Sequence, residues 1–218
     1  MKKRYWAFLI GSWCLSVGMQ AAKVDTLSVH SDAMNKEVQV ITICPDKAMA
    51  GEKCPVLYLL HGYGGNAGTW LGIKPELPRI ADKEGIIFVC PDGKNSWYWD
   101  SPLNKEYRYE TFVSKELVNY IDKNFTTKVE RGGRAITGLS MGGHGSLWLS
   151  IRHKDVFGGG GSMSGGLDIR PFPNNWEMKK QLGEEASNKQ RWDEHTVINQ
   201  LDKIKNGDLA VIIDCGCD

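Results

Sequence analysis

Ser140 is the residue on which chemistry can be built. It stands in Gly138-Leu139-Ser140-Met141-Gly142-Gly143, a G-x-S-x-G pattern followed by one more glycine. The apolar run from Arg134 to Thr137 before it suits a buried strand, and Leu147, Trp148 and Ile151 after it recur at helical spacing. A strand, a sharp turn and a helix are the surroundings in which such a serine is held strained with its hydroxyl exposed. Gly138 and Gly142 have no Cβ, so strand and helix can close around the turn. The helix N-terminus behind Ser140 favours negative charge developing there. The chemistry this predicts is nucleophilic attack on an acyl carbonyl.

Such an attack needs two donors at the carbonyl oxygen. The N–H of Met141, next after the nucleophile, is one candidate. The other is the N–H of Tyr63, in the loop His61-Gly62-Tyr63-Gly64-Gly65-Asn66 that follows an apolar run. His61 reads as a structural histidine fixing this loop rather than as the catalytic base. A second loop, from Pro91 to Pro102, carries three consecutive aromatics, Trp97-Tyr98-Trp99, and then Asp100. Trp97, Tyr98 and Asp100 are candidates for a wall that receives an acyl or alcohol group. The competing reading is a packed surface loop in which Asp100 caps its neighbours. A third loop begins at Asp214.

These loops need strands and helices to hold them. Strands are expected at 38–43, 55–60, 86–90, 134–137, 157–163 and 209–214. The runs at 55–60, 86–90 and 209–214 are apolar enough to be buried on both faces. Helices are expected at 77–83, 109–125 and behind Ser140. The stretch from Trp176 to Lys205 reads as a polar, helical cap over the active site. Strands alternating with helices imply an α/β fold, a mostly parallel sheet with helices on both faces. Ligands then lie at the carboxyl ends of the strands.

With 218 residues, 41% hydrophobic and 24% charged, the chain suits one globular domain. A formal net charge of +1 and the absence of a basic patch give no sign of nucleic-acid binding. No cysteine–histidine spacing suggests zinc, and the expected chemistry needs no metal or cofactor. At the N-terminus, Lys2-Lys3-Arg4, an apolar run from Tyr5 to Met19 and the small residues Ala21-Ala22 read as a secretory signal peptide over 1–22. The run is short for a membrane span, so no stable membrane insertion is expected. Residues 23–218 are then the domain, secreted or periplasmic. Export permits disulfides, and Cys44 and Cys54 flank a turn where they could face each other.

The pattern resembles the serine esterase family of the α/β-hydrolase fold that includes feruloyl esterases, S-formylglutathione hydrolases, tributyrin-type esterases and mycolyltransferases. The residues that carry the resemblance are Tyr58-Leu59-Leu60-His61-Gly62, Pro91-Asp92-Gly93 with Ser96-Trp97-Tyr98 and Asp100-Ser101-Pro102, the Gly138–Gly143 run, Ser162-Met163-Ser164-Gly165 and Ile213-Asp214-Cys215-Gly216. The resemblance implies Ser140 as nucleophile, with Tyr63 and Met141 supplying the oxyanion hole. It implies a small-molecule or polysaccharide-linked ester as substrate: a feruloyl or acetyl ester on a polysaccharide, or a short-chain acyl ester. Acyl transfer to a sugar or lipid alcohol, or ester or glycan binding without turnover, are the alternatives. The family's catalytic acid falls just past Asp218 and its histidine further on, so the resemblance implies a domain truncated at its C-terminus, lacking the last strand and helix. His30, His144, His153 and His195 do not stand where the family places its base.

Overall fold

A computed structural model describes residues 22–216. Seven strands form one sheet in the order β1-β2-β4-β3-β5-β6-β7. They are β1 (Lys23–Ser31), β2 (Lys36–Cys44), β3 (Val56–Leu60), β4 (Ile87–Pro91), β5 (Arg134–Leu139), β6 (Gly159–Met163) and β7 (Ala210–Asp214). β1 pairs antiparallel with β2, and β2 antiparallel with β4; the other pairs are parallel. The six expected strands are present. β1 was not expected: its polar first half alternates weakly, and only Val29 and Ser31 in its second half are buried.

Both faces of the sheet carry helices, as the alternation implied. On one face the core joins Val56, Tyr58 and Leu60 to Phe112, Leu117 and Ile121 and to Leu147 and Trp148. On the other, Ile43, Leu59, Phe88 and Cys90 meet Trp70, Leu77 and Ala81. The expected helix over 109–125 is helical to Asn124 but not regular: Phe112–Leu117 is a π-helical stretch between α-helical turns. Phe112 and Leu117, five apart, are both fully buried, which a π turn allows by stacking residues at that spacing. The segment 176–205 is broken into short helices, Met178–Leu182 and Lys189–Glu194 among them, and Met178, Leu182 and Trp192 are as buried as any core residue.

The expectation for the last strand is corrected. β7 is exposed along its whole length, with Ile212 75% accessible, because it is an edge strand with β6 as its one neighbour and no described residue covers its apolar side chains. Cys44 and Cys54 are buried free thiols rather than a disulfide. The stretch over 1–22 expected to be a signal peptide lies outside the described residues except for Ala22, whose N–H donates to Asp82 Oδ2 at 2.6 Å. No helix among the described residues is long and apolar enough to cross a membrane.

Candidate active site

The strand β5 ends at Leu139 and the helix Met141–Arg152 begins one residue after Ser140. Ser140 itself has φ 55° and ψ −116°, a conformation costly for any side-chain-bearing residue. Two backbone bonds hold it there. Its N–H donates to Met163 O at 2.9 Å, and its carbonyl accepts from the His144 N–H at 3.0 Å. The serine is exposed, so its hydroxyl faces solvent at the carboxyl end of the sheet. The two motif glycines are sterically required. A Cβ on Gly138 would stand 2.2 Å from Gly142 O, and one on Gly142 would stand 2.2 Å from Leu60 O and 2.7 Å from His61 O.

The glycine loop after β3 lies against this turn. A Cβ on Gly62 would meet Leu139 O at 3.3 Å and Ser140 Cβ at 3.5 Å. Three loop N–H groups are spoken for: Gly64 donates to Asn95 Oδ1 at 2.9 Å, Gly65 to Gly62 O at 3.0 Å, and Asn66 to Thr69 Oγ1 at 2.9 Å. The Tyr63 N–H has no acceptor among the described residues, and the Met141 N–H opens a helix and has none either. The loop therefore keeps a free backbone donor at Tyr63, next to the residue that packs against Ser140.

His61 fixes the loop, as expected. It is buried; its Nε2 accepts from the Gly93 N–H at 2.8 Å, so Nδ1 carries the proton and donates to Gly62 O at 2.7 Å. Both ring nitrogens are thereby consumed. Asp92 beside it is held at a pKa of about 2. Burial pushes the carboxyl up, but donors, among them the Lys94 ammonium at 2.6 Å and the Lys94 N–H at 2.9 Å, more than offset it.

The aromatic loop sits differently from a substrate wall. Trp97 and Tyr98 both take left-handed backbone angles, φ 57° and 61°, and both are buried. Tyr98 runs beneath the elbow helix, where a Cβ on Gly145 would strike its ring at 2.3 Å, and its hydroxyl donates to His61 O at 3.2 Å. Trp97 stacks on Trp99 and packs edge-on against His144. Asp100 caps the next helix, accepting from the Thr111 N–H at 2.9 Å and the Thr111 hydroxyl at 2.6 Å. Trp97 and Tyr98 are buried between the loops near Ser140, while Asp100 is half-buried and lines the cavity around Arg152 and His195.

The five histidines of the described residues are all engaged away from Ser140. His30 pairs with Glu37, His61 with its own loop, His144 with Gly166 O, His153 with Glu110 and His195 with Arg191 O. His144 is fully enclosed by Trp97, Trp99 and Trp148, and burial pulls its pKa down to about 4 against the hydrogen bond to Gly166. The end of β7 nonetheless reaches the elbow. Met163, which holds the Ser140 N–H, pairs with Asp214, and Asp214 O accepts the Ser164 N–H at 2.8 Å. The loop after Asp214 thus starts beside Ser140. Residues 217 and 218 lie outside the described residues.

Sequence reasoning missed Glu177. Its Oε2 lies 3.5 Å from Asn95 Nδ2, and Asn95 Oδ1 in turn accepts the Gly64 N–H, joining the segment after Trp176 to the His61–Asn66 loop. Trp176 and Glu177 have φ 49° and 55°, two consecutive left-handed residues with no glycine to announce them. A cavity of about 620 Å³ lies at the far end of the elbow helix around Arg152, His153 and His195. Arg152 is about 18 Å down the helix axis from Ser140, at 1.5 Å rise per residue. The cavity's central carboxylate, Glu110, is already saturated by Trp148, Arg152 and His153.

Comparison with known proteins agrees with this geometry. The family model Esterase matches residues 31–218, and the chain belongs to that esterase family. An acetyl esterase of Caldicellulosiruptor saccharolyticus is 29% identical over 151 residues, 66% of this chain and 56% of that protein. An endo-1,4-beta-xylanase/feruloyl esterase of Xylanibacter ruminicola is 34% identical over 124 residues, 53% of this chain and 17% of that protein. The chain therefore spans about half the length of the acetyl esterase and a much smaller part of the second enzyme. A ferulic acid esterase of known structure superposes with a TM-score of 0.72 at 28% identity, covering 91% of this chain and 80% of that one. The mostly parallel sheet, helices on both faces and strand–turn–helix elbow are those of the α/β-hydrolase fold.

Proposed function

We propose that the protein hydrolyses carboxylic esters through an acyl-enzyme on Ser140, outside the cytoplasm. The observation that carries this is the strained, exposed Ser140 next to a loop that leaves the Tyr63 N–H free. In the proposed reaction Ser140 Oγ attacks the ester carbonyl. The carbonyl oxygen becomes an oxyanion and accepts hydrogen bonds from the Tyr63 and Met141 N–H groups. A histidine base takes the serine proton and returns it to the departing alcohol, and water then releases the acid by the same route. That histidine is not among residues 22–216, whose five imidazoles are committed elsewhere.

Trp97, Tyr98 and Asp100 act in this reading by positioning: Tyr98 props His61, Trp97 carries Trp176, and Asp100 fixes the helix start at Thr111. The substrate is a small-molecule or polysaccharide-linked ester, in keeping with the acetyl and feruloyl esterases among the relatives. The test is active-site labelling: a fluorophosphonate added to the full-length protein should attach to Ser140, located by peptide mass. Labelling elsewhere, or undiminished ester turnover in Ser140→Ala, would overturn the assignment.

A further inference from the structure

The Tyr63 N–H can act as a fixed donor only if the turn that carries it is fixed. That turn runs from Gly62 to Gly65 and is closed by the Gly65 N–H on Gly62 O at 3.0 Å. Gly64 has φ 75°, and Tyr63 has no positive φ. These are the signs of a type II β-turn, which needs a left-handed residue in third place and none in second. A type I turn has the same closing bond but its middle peptide, Tyr63 C=O with Gly64 N–H, is turned over. The ψ of the second residue then goes from about +120° to about −30°, and the φ of the third from about +80° to about −90°. Glycine takes either sign of φ at no steric cost. A Cβ on Gly64 would meet nothing within 4 Å, so packing at Gly64 does not choose between the two states either.

The choice falls to Asn95, whose Oδ1 accepts the Gly64 N–H at 2.9 Å. Turned over, the middle peptide would set Tyr63 O against Asn95 Oδ1, two acceptors facing each other. Turning the amide round to offer Nδ2 instead would bring Oδ1 toward Glu177 Oε2, which now lies 3.5 Å from Nδ2. A carboxylate only accepts, so Glu177 orients the amide. Glu177 is itself paired with Lys180 and follows Trp176 in a left-handed turn. The backbone at Asn95 is set as well. The Lys94 N–H before it is bound by Asp92 Oδ1 at 2.9 Å, and Ser96 after it is buried.

On the other side of Tyr63, His61 Nδ1 and the Gly65 N–H both donate to Gly62 O, at 2.7 and 3.0 Å. Gly62 O and the Tyr63 N–H belong to one planar peptide, so fixing the oxygen aims the N–H the opposite way. The Gly65 N–H is carried by the far arm of the turn and stays in place only while the middle peptide does. Both peptides that meet at the Tyr63 Cα are therefore held, one through His61 and one through Asn95.

We infer that Asn95 is a positioning residue for the oxyanion donor: by binding the Gly64 N–H, with its amide oriented by Glu177, it locks the Gly62–Gly65 turn in the state that aims the Tyr63 N–H. The inference rests on the ester-hydrolase reading of Ser140 and Tyr63. Asn95 touches no reacting atom in it. A donor aimed beforehand stabilises the transition state more than one that must be aimed during the reaction, so the loss of Asn95 appears in kcat rather than KM.

The test uses the full-length protein and p-nitrophenyl acetate. Asn95→Leu keeps the size of the side chain and removes both polar ends. It should lower kcat about tenfold or more with KM within about threefold, less than the loss of a whole oxyanion donor costs. Amide exchange read by NMR should rise about tenfold or more at Gly64, whose N–H has lost its acceptor. Thermal melts show whether the variant is folded. Asn95→Asp combined with Glu177→Gln keeps an acceptor for Gly64, exchanges the donor between the two side chains and leaves their net charge unchanged. This double variant should recover most of the lost kcat. A kcat within about threefold of wild type in Asn95→Leu, an unchanged exchange rate at Gly64, or a double variant as slow as Asn95→Leu would overturn the inference. Tyr63→Pro separates this failure from failure of the reading beneath it. If Tyr63→Pro costs about a hundredfold while Asn95→Leu costs nothing, the hole stands and Asn95 has no part in it. If Tyr63→Pro is as fast as wild type, the hole is not in this loop, and the positioning role falls with it.

Discussion

Gly142 lies so close to Leu60 that a methyl group in place of its hydrogen would stand 2.2 Å from the Leu60 carbonyl oxygen. Leu60 ends the strand before the oxyanion loop, and Gly142 is the second residue of the elbow helix. The helix that follows Ser140 and the strand that leads into the His61–Asn66 loop are thus in backbone contact. No side chain there can give way.

The first prediction follows directly. Gly142→Ala forces the helix off β3, and overpacking against backbone costs about 3 kcal/mol or more. Urea unfolding should show that loss, with ester turnover falling with it. Gly72→Ala, at a glycine with open space around it, is the matched control and should leave stability within about 0.5 kcal/mol. Equal midpoints for the two variants would mean that the contact is not as tight as described.

Ser140 carries the opposite sign. Its φ of 55° is costly for serine and free for glycine. Ser140→Gly should therefore abolish turnover yet raise stability by about 1 kcal/mol, the strain relieved less the extra freedom of glycine in the unfolded chain. Ser140→Ala should abolish turnover without that gain. A Ser140→Gly protein less stable than Ser140→Ala in urea would show that the elbow stores no strain at this residue.

Tyr63 separates backbone from side-chain function. Its donor is the N–H, so Tyr63→Ala should retain much of the activity of the full-length protein. Tyr63→Pro deletes the N–H and should lower kcat about a hundredfold or more. Steady-state kinetics on a p-nitrophenyl ester decide it, and equal rates for the two variants would remove the loop from the hole.

The parts of this site that could be read from the chain are those written in glycine and in apolar runs. Gly138, Gly142 and the His61–Asn66 loop announce backbone conformations that few residues can adopt, and β3, β4 and β5 are buried enough to be legible as strands. Trp97 and Tyr98 were legible as a feature but not as a role. Three aromatics in a polar loop look like a binding surface, and it is the missing Cβ of Gly145, far along the chain, that opens the slot where Tyr98 goes to ground. Glu177 gave no signal, because its importance comes from a left-handed turn built of tryptophan and glutamate. β7 misled in the other direction. Its composition is that of a central strand, but the sheet order among the described residues leaves it at an edge.

His144 makes the last prediction one of acid sensitivity. The imidazole is enclosed by three tryptophans, donates from Nδ1 to Gly166 O at 2.8 Å, and has no partner at Nε2. Burial lowers its pKa to about 4 from an ordinary 6.5. The folded state thus favours the neutral ring, while the unfolded chain takes up a proton below about pH 6.5. Between roughly pH 6.5 and 4 the unfolded state binds more protons, so stability falls as pH falls. The contribution is complete above pH 6.5 and lost by about pH 4, a change of about 3 kcal/mol for a shift of this size. His195, stacked on Trp148 and edge-on to Trp99, is shifted in the same direction by burial and adds to the slope. Urea midpoints measured every half unit from pH 7.5 to 4 should decline through this window. His144→Gln should start lower, having lost the fitted ring, but decline less steeply, since one of the two protons is no longer taken up on unfolding. A variant whose midpoints fall in parallel with the wild type would place the acid sensitivity elsewhere than at His144.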